Sequence, residues 1–246
     1  MPDRAYDPIE VVYEDAALLA ANKPAGLLVH RSQIAADETD FLLDRLQAHA
    51  RTPLYLAHRL DRATSGLVLL AKSREMAGEL GRQFMERGVD KRYLAVVRGW
   101  PQSAGEVDYP LPDVRDRSPR KPALTRWRVL ATATVPIALG RYPEQRYSLI
   151  EAAPLTGRYR QIRKHFHHLS HPIIGDTSHG RGDHNRLWRM HFGLDRLLLH
   201  AWRLDLLHPS GRTPLALQAQ LDATWRRVVD RFGWHDAIGS ASAHSC

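Results

Sequence analysis

Asp61 lies between Arg59 and Arg62, just ahead of the turn-forming run Thr64-Ser65-Gly66. A carboxylate placed between two guanidinium groups fits a structural ion pair in a loop. It equally fits an ionised group held ready to react, and spacing alone allows both. A second concentration of chemistry-bearing side chains runs from His165, His167, His168 and His171 to His179 and His184, with Asp176 and Asp183 as available carboxylates. Metal-dependent hydrolysis is the chemistry such a set could perform. Its spacing, however, matches no familiar zinc signature such as H-E-x-x-H, and histidines on a basic helix commonly meet phosphate or solvent. Cys246 is the one cysteine, so the sequence offers neither an intramolecular disulfide nor a cysteine-based metal site.

The elements that must position these groups read as mixed strand and helix. Residues 9–24 hold two β-prone runs split by Glu14-Asp15 and closed by the turn Pro24-Ala25-Gly26, a hairpin-like start. Leu42, Leu43 and Leu46 stand at helical spacing within 41–50, and 67–72 is a continuous apolar stretch of strand length after Gly66. Ser73 suits the cap of a helix in which Met76, Leu80 and Phe84 recur every four residues until Gly88. Further strands are predicted at 91–100, 124–131, 147–154, 197–209 and 213–221, and a closing helix at 222–232. From Thr156 to Pro172 a helical pattern puts Ile162, Phe166 and Leu169 on one face and Arg160, Arg163, Lys164 and His167 elsewhere. The Pro-rich basic stretch 110–122 and the Gly-, His- and Asp-rich stretch 173–186 read as exposed loops, and 239–246 as a disordered tail. The class is α+β, a mixed, largely antiparallel sheet with peripheral helices, in a single domain over 1–238.

With 43% hydrophobic and 25% charged residues the composition is that of a globular protein, not of a disordered or fibrous one. Thirty-five Lys plus Arg against 27 Asp plus Glu give +8, and the isoelectric point near 9.9 points to a polyanionic partner, nucleic acid or a membrane surface. No stretch approaches the roughly 18 apolar residues of a membrane span. The opening residues are acidic throughout and lack the pattern of a secretory or transit peptide, so a cytoplasmic protein is expected, without membrane insertion.

Four blocks then occur in order: His58-Arg59-Leu60-Asp61 with Thr64-Ser65-Gly66 and Ala71-Lys72; Lys91-Arg92-Tyr93-Leu94-Ala95 with Val97 and Gly99; Thr156-Gly157-Arg158 with Gln161-Ile162-Arg163; and His171-Pro172-Ile173-Ile174-Gly175-Asp176. Together they resemble the bacterial ribosomal and transfer RNA pseudouridine synthase family. Asn22-Lys23-Pro24 with Gly26, and Leu199-His200-Ala201 through His208-Pro209, extend the likeness over 22–210. Arg160 departs from it, since relatives usually carry histidine before the glutamine.

The resemblance implies a catalytic domain whose sheet, helices and loops surround a central RNA-binding cleft, and isomerisation of uridine to pseudouridine. The C1′–N1 bond must break, the held uracil rotate and C5 join C1′, which calls for no cofactor and no metal. A carboxylate can attack an electrophilic carbon or stabilise a cationic sugar. Asp61 takes that role by resemblance, whether it adds to the sugar or serves a glycal route by removing a sugar proton. By the same likeness Arg163 is its charge partner, Tyr93 lies against the target base, and Ile162 lines the pocket. Arg59 fills the space left by the extruded uridine, a step base-modifying enzymes need. Arg62, Arg158, His179 and Arg186 are expected to contact RNA, with no obligate protein partner. Val29-His30-Arg31-Ser32, Val107 to Leu111, Gly140-Arg141-Tyr142-Pro143, His179-Gly180 with Asn185-Arg186, and His191 to Leu194 resemble a tRNA-modifying branch acting on uridine 65 of the T-stem. A ribosomal RNA target, the metal-dependent hydrolase above and a non-catalytic RNA-binding module are the alternatives.

Overall fold

The computed structural model describes residues 8–31, 37–112 and 119–243. In chain order it contains strands β1 (Glu10–Glu14) and β2 (Leu18–Lys23), helix α1 (Leu42–Ala50), strands β3 (Tyr55–Leu56) and β4 (Ser65–Ala71), and helix α2 (Arg74–Met85). Strands β5 (Asp90–Arg98), β6 (Ala104–Asp108), β7 (Leu111–Pro112), β8 (Arg120–Lys121), β9 (Leu124–Val135) and β10 (Gln145–Pro154) follow. Helices α3 (Gln161–His168) and α4 (Gly182–Phe192), strands β11 (Leu199–Leu207) and β12 (Pro214–Gln218), and helices α5 (Ala223–Phe232) and α6 (His235–Ala243) complete it. The chain divides into two compact units, Met1–Asp90 with Ala201–Gln220 and Lys91–His200 with Leu221–Cys246. No described helix is long and apolar enough to cross a membrane.

In the first unit the Asp15 carboxylate accepts from the N–H groups of Ala17 and Leu18 at 2.8 and 2.7 Å, which turns β1 into β2 where the sequence has its polar break. β2 pairs antiparallel with β4, and β3 joins β4. β4 is buried along its whole length because both of its faces are covered. Leu18, Ala20, Leu67 and Leu69 pack with Leu80 of α2, while the alternate residues Leu19, Ala21, Val68 and Leu70 pack with Leu42 and Leu46 of α1. A period of two, applied to strands covered twice, turns into a continuous apolar run. Ser73 caps α2 by accepting from Met76 N at 3.2 Å.

In the second unit β5, β10, β9 and β6 pair antiparallel in that order, and β7 pairs with β8. The α+β class and antiparallel pairing agree with the sequence reading. Several elements differ from it. Strand β6 was not anticipated, and the stretch expected as a loop at 110–122 carries β7 and β8 near its two ends, while Asp113 to Ser118 lie outside the described residues. The helix expected from Thr156 starts at Gln161, because Arg160 adopts the left-handed conformation with φ 55° and stops helical backbone from running further toward Thr156. The stretch 173–186, read as a loop, enters helix α4 at Gly182. Its His184, Leu187 and Trp188 are buried at helical spacing, which outweighs a loop-like composition. The tail read as disordered from 239 continues α6 to Ala243, with Ala241 buried.

Candidate active site

Asp61 is half-buried in the short segment between β3 and β4, within the first unit. The segment is tied on both sides. Ahead of Asp61, His58 Nε2 accepts from Leu69 N at 3.1 Å, and Leu60 packs against the core of Leu19, Val68 and Leu70. Behind it, Thr64 N donates to the Asp61 carbonyl at 3.1 Å, and Gly66, at φ 108°, passes so near Ala201 that an added Cβ would lie 2.1 Å from its carbonyl oxygen.

The strongest tie is Lys23. Its side chain is fully buried, and its ammonium donates to the carbonyls of Pro24, Leu27 and Arg62 at 2.8, 2.9 and 3.1 Å. Gly26 N also donates to Arg62 O at 2.8 Å. A buried ammonium requires such acceptors, so the residue next to Asp61 is fixed by a cation 39 positions earlier in the chain. Arg62 itself donates Nε to Gly26 O at 2.8 Å and pairs with Glu38 at 2.7 Å, bonds that close the same loop. Arg59 is exposed, and its charge adds to burial in lowering the pKa of His30.

In the second unit Tyr93 is half-buried on β5, opposite Ala152 of β10. Arg163 of α3 is 5% exposed and donates Nε and Nη2 to the two carboxylate oxygens of Asp176, each at 2.7 Å; Asp176 is 1% exposed. Asp176 also accepts from Ser178 N and His179 N at 2.9 Å. Burial pushes the Asp176 carboxyl up, yet the hydrogen bond and charge of Arg163 with these backbone donors outweigh it and hold the carboxyl below its ordinary value. Asn185 of α4 buttresses the loop, accepting from Gly175 N at 2.8 Å and donating to Asp176 O at 2.9 Å.

Gln161 shapes the entry to α3. Its Oε1 accepts from the Thr156 hydroxyl at 2.6 Å and Arg158 N at 3.0 Å, and its Nε2 donates to Leu124 O and Thr125 Oγ1 at 2.9 Å. Ile162 is buried and Arg158 half-buried, with Nε donating to Pro122 O at 3.2 Å. Arg160 rests 4.9 Å from the Tyr159 ring centroid and donates to Ser178 Oγ at 3.0 Å. Arg186 is exposed on α4.

Four of the histidines make packing or hydrogen-bond contacts, while His179 keeps a buried Nε2 with no hydrogen-bond partner among the described residues. His165 is within 2.9 Å of Thr125 Oγ1 and 3.0 Å of Tyr109 O, His167 within 2.8 Å of His179 O, and His171 within 2.8 Å of Arg98 O. His168 stacks on Tyr109 with centroids 3.8 Å apart. Asp176 is committed to Arg163, and Asp183 pairs with Arg181 at 3.0 Å. Among the described residues no three His, Cys, Asp or Glu side chains gather as metal ligands. Both carboxylates of the hydrolase reading are thus engaged by arginine.

The sequence model of the family described as RNA pseudouridylate synthase matches residues 17–168. The chain belongs to the RNA pseudouridylate synthase family. It is 43% identical over 239 residues to tRNA pseudouridine synthase C of Vibrio cholerae, covering 94% of this chain and 98% of that one. To the protein of the same name from Salmonella typhi it is 45% identical over 239 residues, covering 94% and 92%. The solved human RNA pseudouridylate synthase domain containing 4 superposes with a TM-score of 0.68 at 28% identity over 90% of this chain and 92% of that one. Membership makes the chain an isomerase acting on RNA. Within this pseudouridylate synthase, Lys23, Asn185 and the pairing of Arg163 with Asp176 were not identified as site features from sequence. The four motif blocks contained Asp176 but gave no sign of its partner.

Proposed function

We propose that the chain isomerises uridine to pseudouridine in tRNA, at position 65 of the T-stem, in the cytoplasm. Asp61 is the reacting carboxylate in this reading, Tyr93 the platform for the uracil, and Arg163 the cation that favours the charged form of the carboxylate. In the reaction C1′–N1 breaks and C1′–C5 forms, the C5 proton leaves and N1 gains one, so atoms balance with no other reactant. Arg59, exposed two residues from Asp61, is suited to fill the space of the extruded nucleotide. Ile162 would line the pocket, with Arg158, His179, Arg186 and Arg62 as further RNA contacts. The observation that carries the reading is the Asp61 loop, where a fully buried lysine and a glycine-only approach fix the backbone that carries one half-buried carboxylate. The tRNA target follows the named relatives, matched over nearly their whole length.

The test is pseudouridine mapping on tRNA transcripts treated with purified protein. Position 65 should be modified by the wild-type chain and left as uridine by Asp61→Asn, whose RNA affinity should stay within a few fold because phosphate contacts dominate binding. Turnover by the Asn variant would remove Asp61 from the mechanism, and modification of ribosomal RNA alone would replace the target.

A further inference from the structure

Past the end of β5 that follows Arg98, the second unit exposes two aromatic side chains, each coupled to an arginine. Trp100 is 45% exposed and Tyr142 49%. The Arg146 guanidinium lies 4.4 Å from the Trp100 ring centroid. Arg141 lies 5.0 Å from the Tyr142 centroid and donates Nη2 to its hydroxyl at 2.8 Å, which lowers the phenol's pKa. None of these four side chains takes part in the contacts described for Asp61, Tyr93 and Arg163, although Arg141 and Tyr142 stand in one of the segments that resemble the tRNA-modifying branch.

The corner that presents Trp100 is held firmly. Gly99 N donates to Arg146 O at 2.6 Å, Ser148 Oγ to Gly99 O at 2.8 Å, and Arg98 N to Pro172 O at 3.0 Å. Gly99 has φ 79°, and a Cβ there would sit 3.0 Å from His171 Nδ1. A large ring half in water on a fixed corner is organised for contact, since little ordering entropy remains to be lost when it binds. The charge on this edge is positive: Arg141 and Arg146 outnumber Glu144, whose 3.4 Å pair with Arg146 is exposed on both sides and weak. Aromatic faces interleaved with guanidinium groups suit a base or ribose for stacking and phosphates for charge. The five steps from Tyr93 to Arg98 run roughly 16 Å along the strand, so Trp100 reaches RNA beyond the nucleotide at Tyr93.

We propose that Trp100 and Tyr142, with Arg146 and Arg141, form a second RNA contact that grips the substrate several nucleotides from the reacting uridine. The inference rests on the proposed function through the placement of that uridine at Tyr93. It is tested with purified Trp100→Ala, Trp100→Phe and Arg141→Gln/Arg146→Gln, measuring kcat, KM and tRNA affinity against salt. Because one stacked base contributes about 1–3 kcal/mol, Trp100→Ala should raise KM and Kd about 5- to 150-fold with kcat within twofold, and Trp100→Phe should restore most of the loss. The double Gln variant should flatten the salt dependence by about one to two phosphate contacts. Unchanged Kd and salt slope in the Ala and Gln variants would overturn the proposal and leave the patch to a protein partner. A fall in kcat with KM unchanged would overturn its separation from the reacting nucleotide. If wild-type protein modified no tRNA, the functional reading would fail, while the affinity measurements would still decide whether this surface binds RNA.

Discussion

Replacing Arg163 by Met would remove one charge from a pair in which the arginine is 5% and the aspartate 1% exposed. The stranded Asp176 would keep Ser178 N and His179 N as donors but lose both 2.7 Å bonds to the guanidinium. Leaving one member of a buried pair uncompensated costs about 3–5 kcal/mol, which for a chain of this size lowers Tm by about 6–20 °C. Loss of isomerase activity in Arg163→Met therefore has two possible origins, a loosened α3 or a missing cation in the chemistry. A double-mutant cycle with Asp176→Asn separates them. Urea denaturation should show that Arg163→Met/Asp176→Asn is more stable than the sum of the single losses predicts, with a coupling of at least about 2 kcal/mol, since neither charge is then stranded. Single-turnover rates on tRNA should nevertheless stay about 100-fold or more below wild type in both variants that lack Arg163. Because the folded-state pKa of Asp176 is lowered, the pair's stabilisation is complete above the unfolded value of 3.8 and is lost as pH falls through the folded one. The double variant should lack that acid dependence. Additive stabilities would refute the energetic reasoning, and recovery of the rate in the double variant would reduce Arg163 to a structural residue.

Lys23→Met should lower kcat at least tenfold while tRNA Kd stays within a few fold, because three carbonyls around the Asp61 loop lose a donor at about 1–3 kcal/mol each; unchanged kcat would show that Lys23 does not position Asp61. His184, buried between Arg98 Nε and the Tyr147 hydroxyl at 3.0 Å each, has its pKa pushed down to about 4 by burial and then by Arg98. A folded value below the unfolded 6.5 favours the neutral ring, so stability should be full above pH 6.5 and fall by up to about 3 kcal/mol toward pH 4. His184→Gln should flatten that slope in denaturation curves, and an unaltered slope would assign it to other groups. Isomerisation of tRNA should survive exhaustive dialysis against EDTA with no added nucleotide; restoration by zinc or magnesium of an activity lost to chelator would reopen the hydrolase-like chemistry.

Signals that act over a few residues were legible without the fold. The Asp15 turn, the Ser73 cap, the apolar run of β4 and the amphipathic spacing of α2 each depend on neighbours in sequence, and each appears in the structure. The motif blocks around Asp61, Tyr93 and Arg163 were equally visible, because chemistry demands particular side chains at short, ordered spacings. Tertiary structure decided which buried charges meet. Lys23 reaches Arg62 O 39 positions away, and Arg163 meets Asp176 across 13. It also decided that Gly182 to Arg186 join a helix, since only the burial of Leu187 and Trp188 reveals the face that stabilises it. Left-handed backbone at Arg160, where glycine would be the usual signal, had no local marker either. The physical reason is common to these cases: a buried ion or polar group must be satisfied by whatever the fold brings within about 3 Å, and nearness in sequence does not determine what that is.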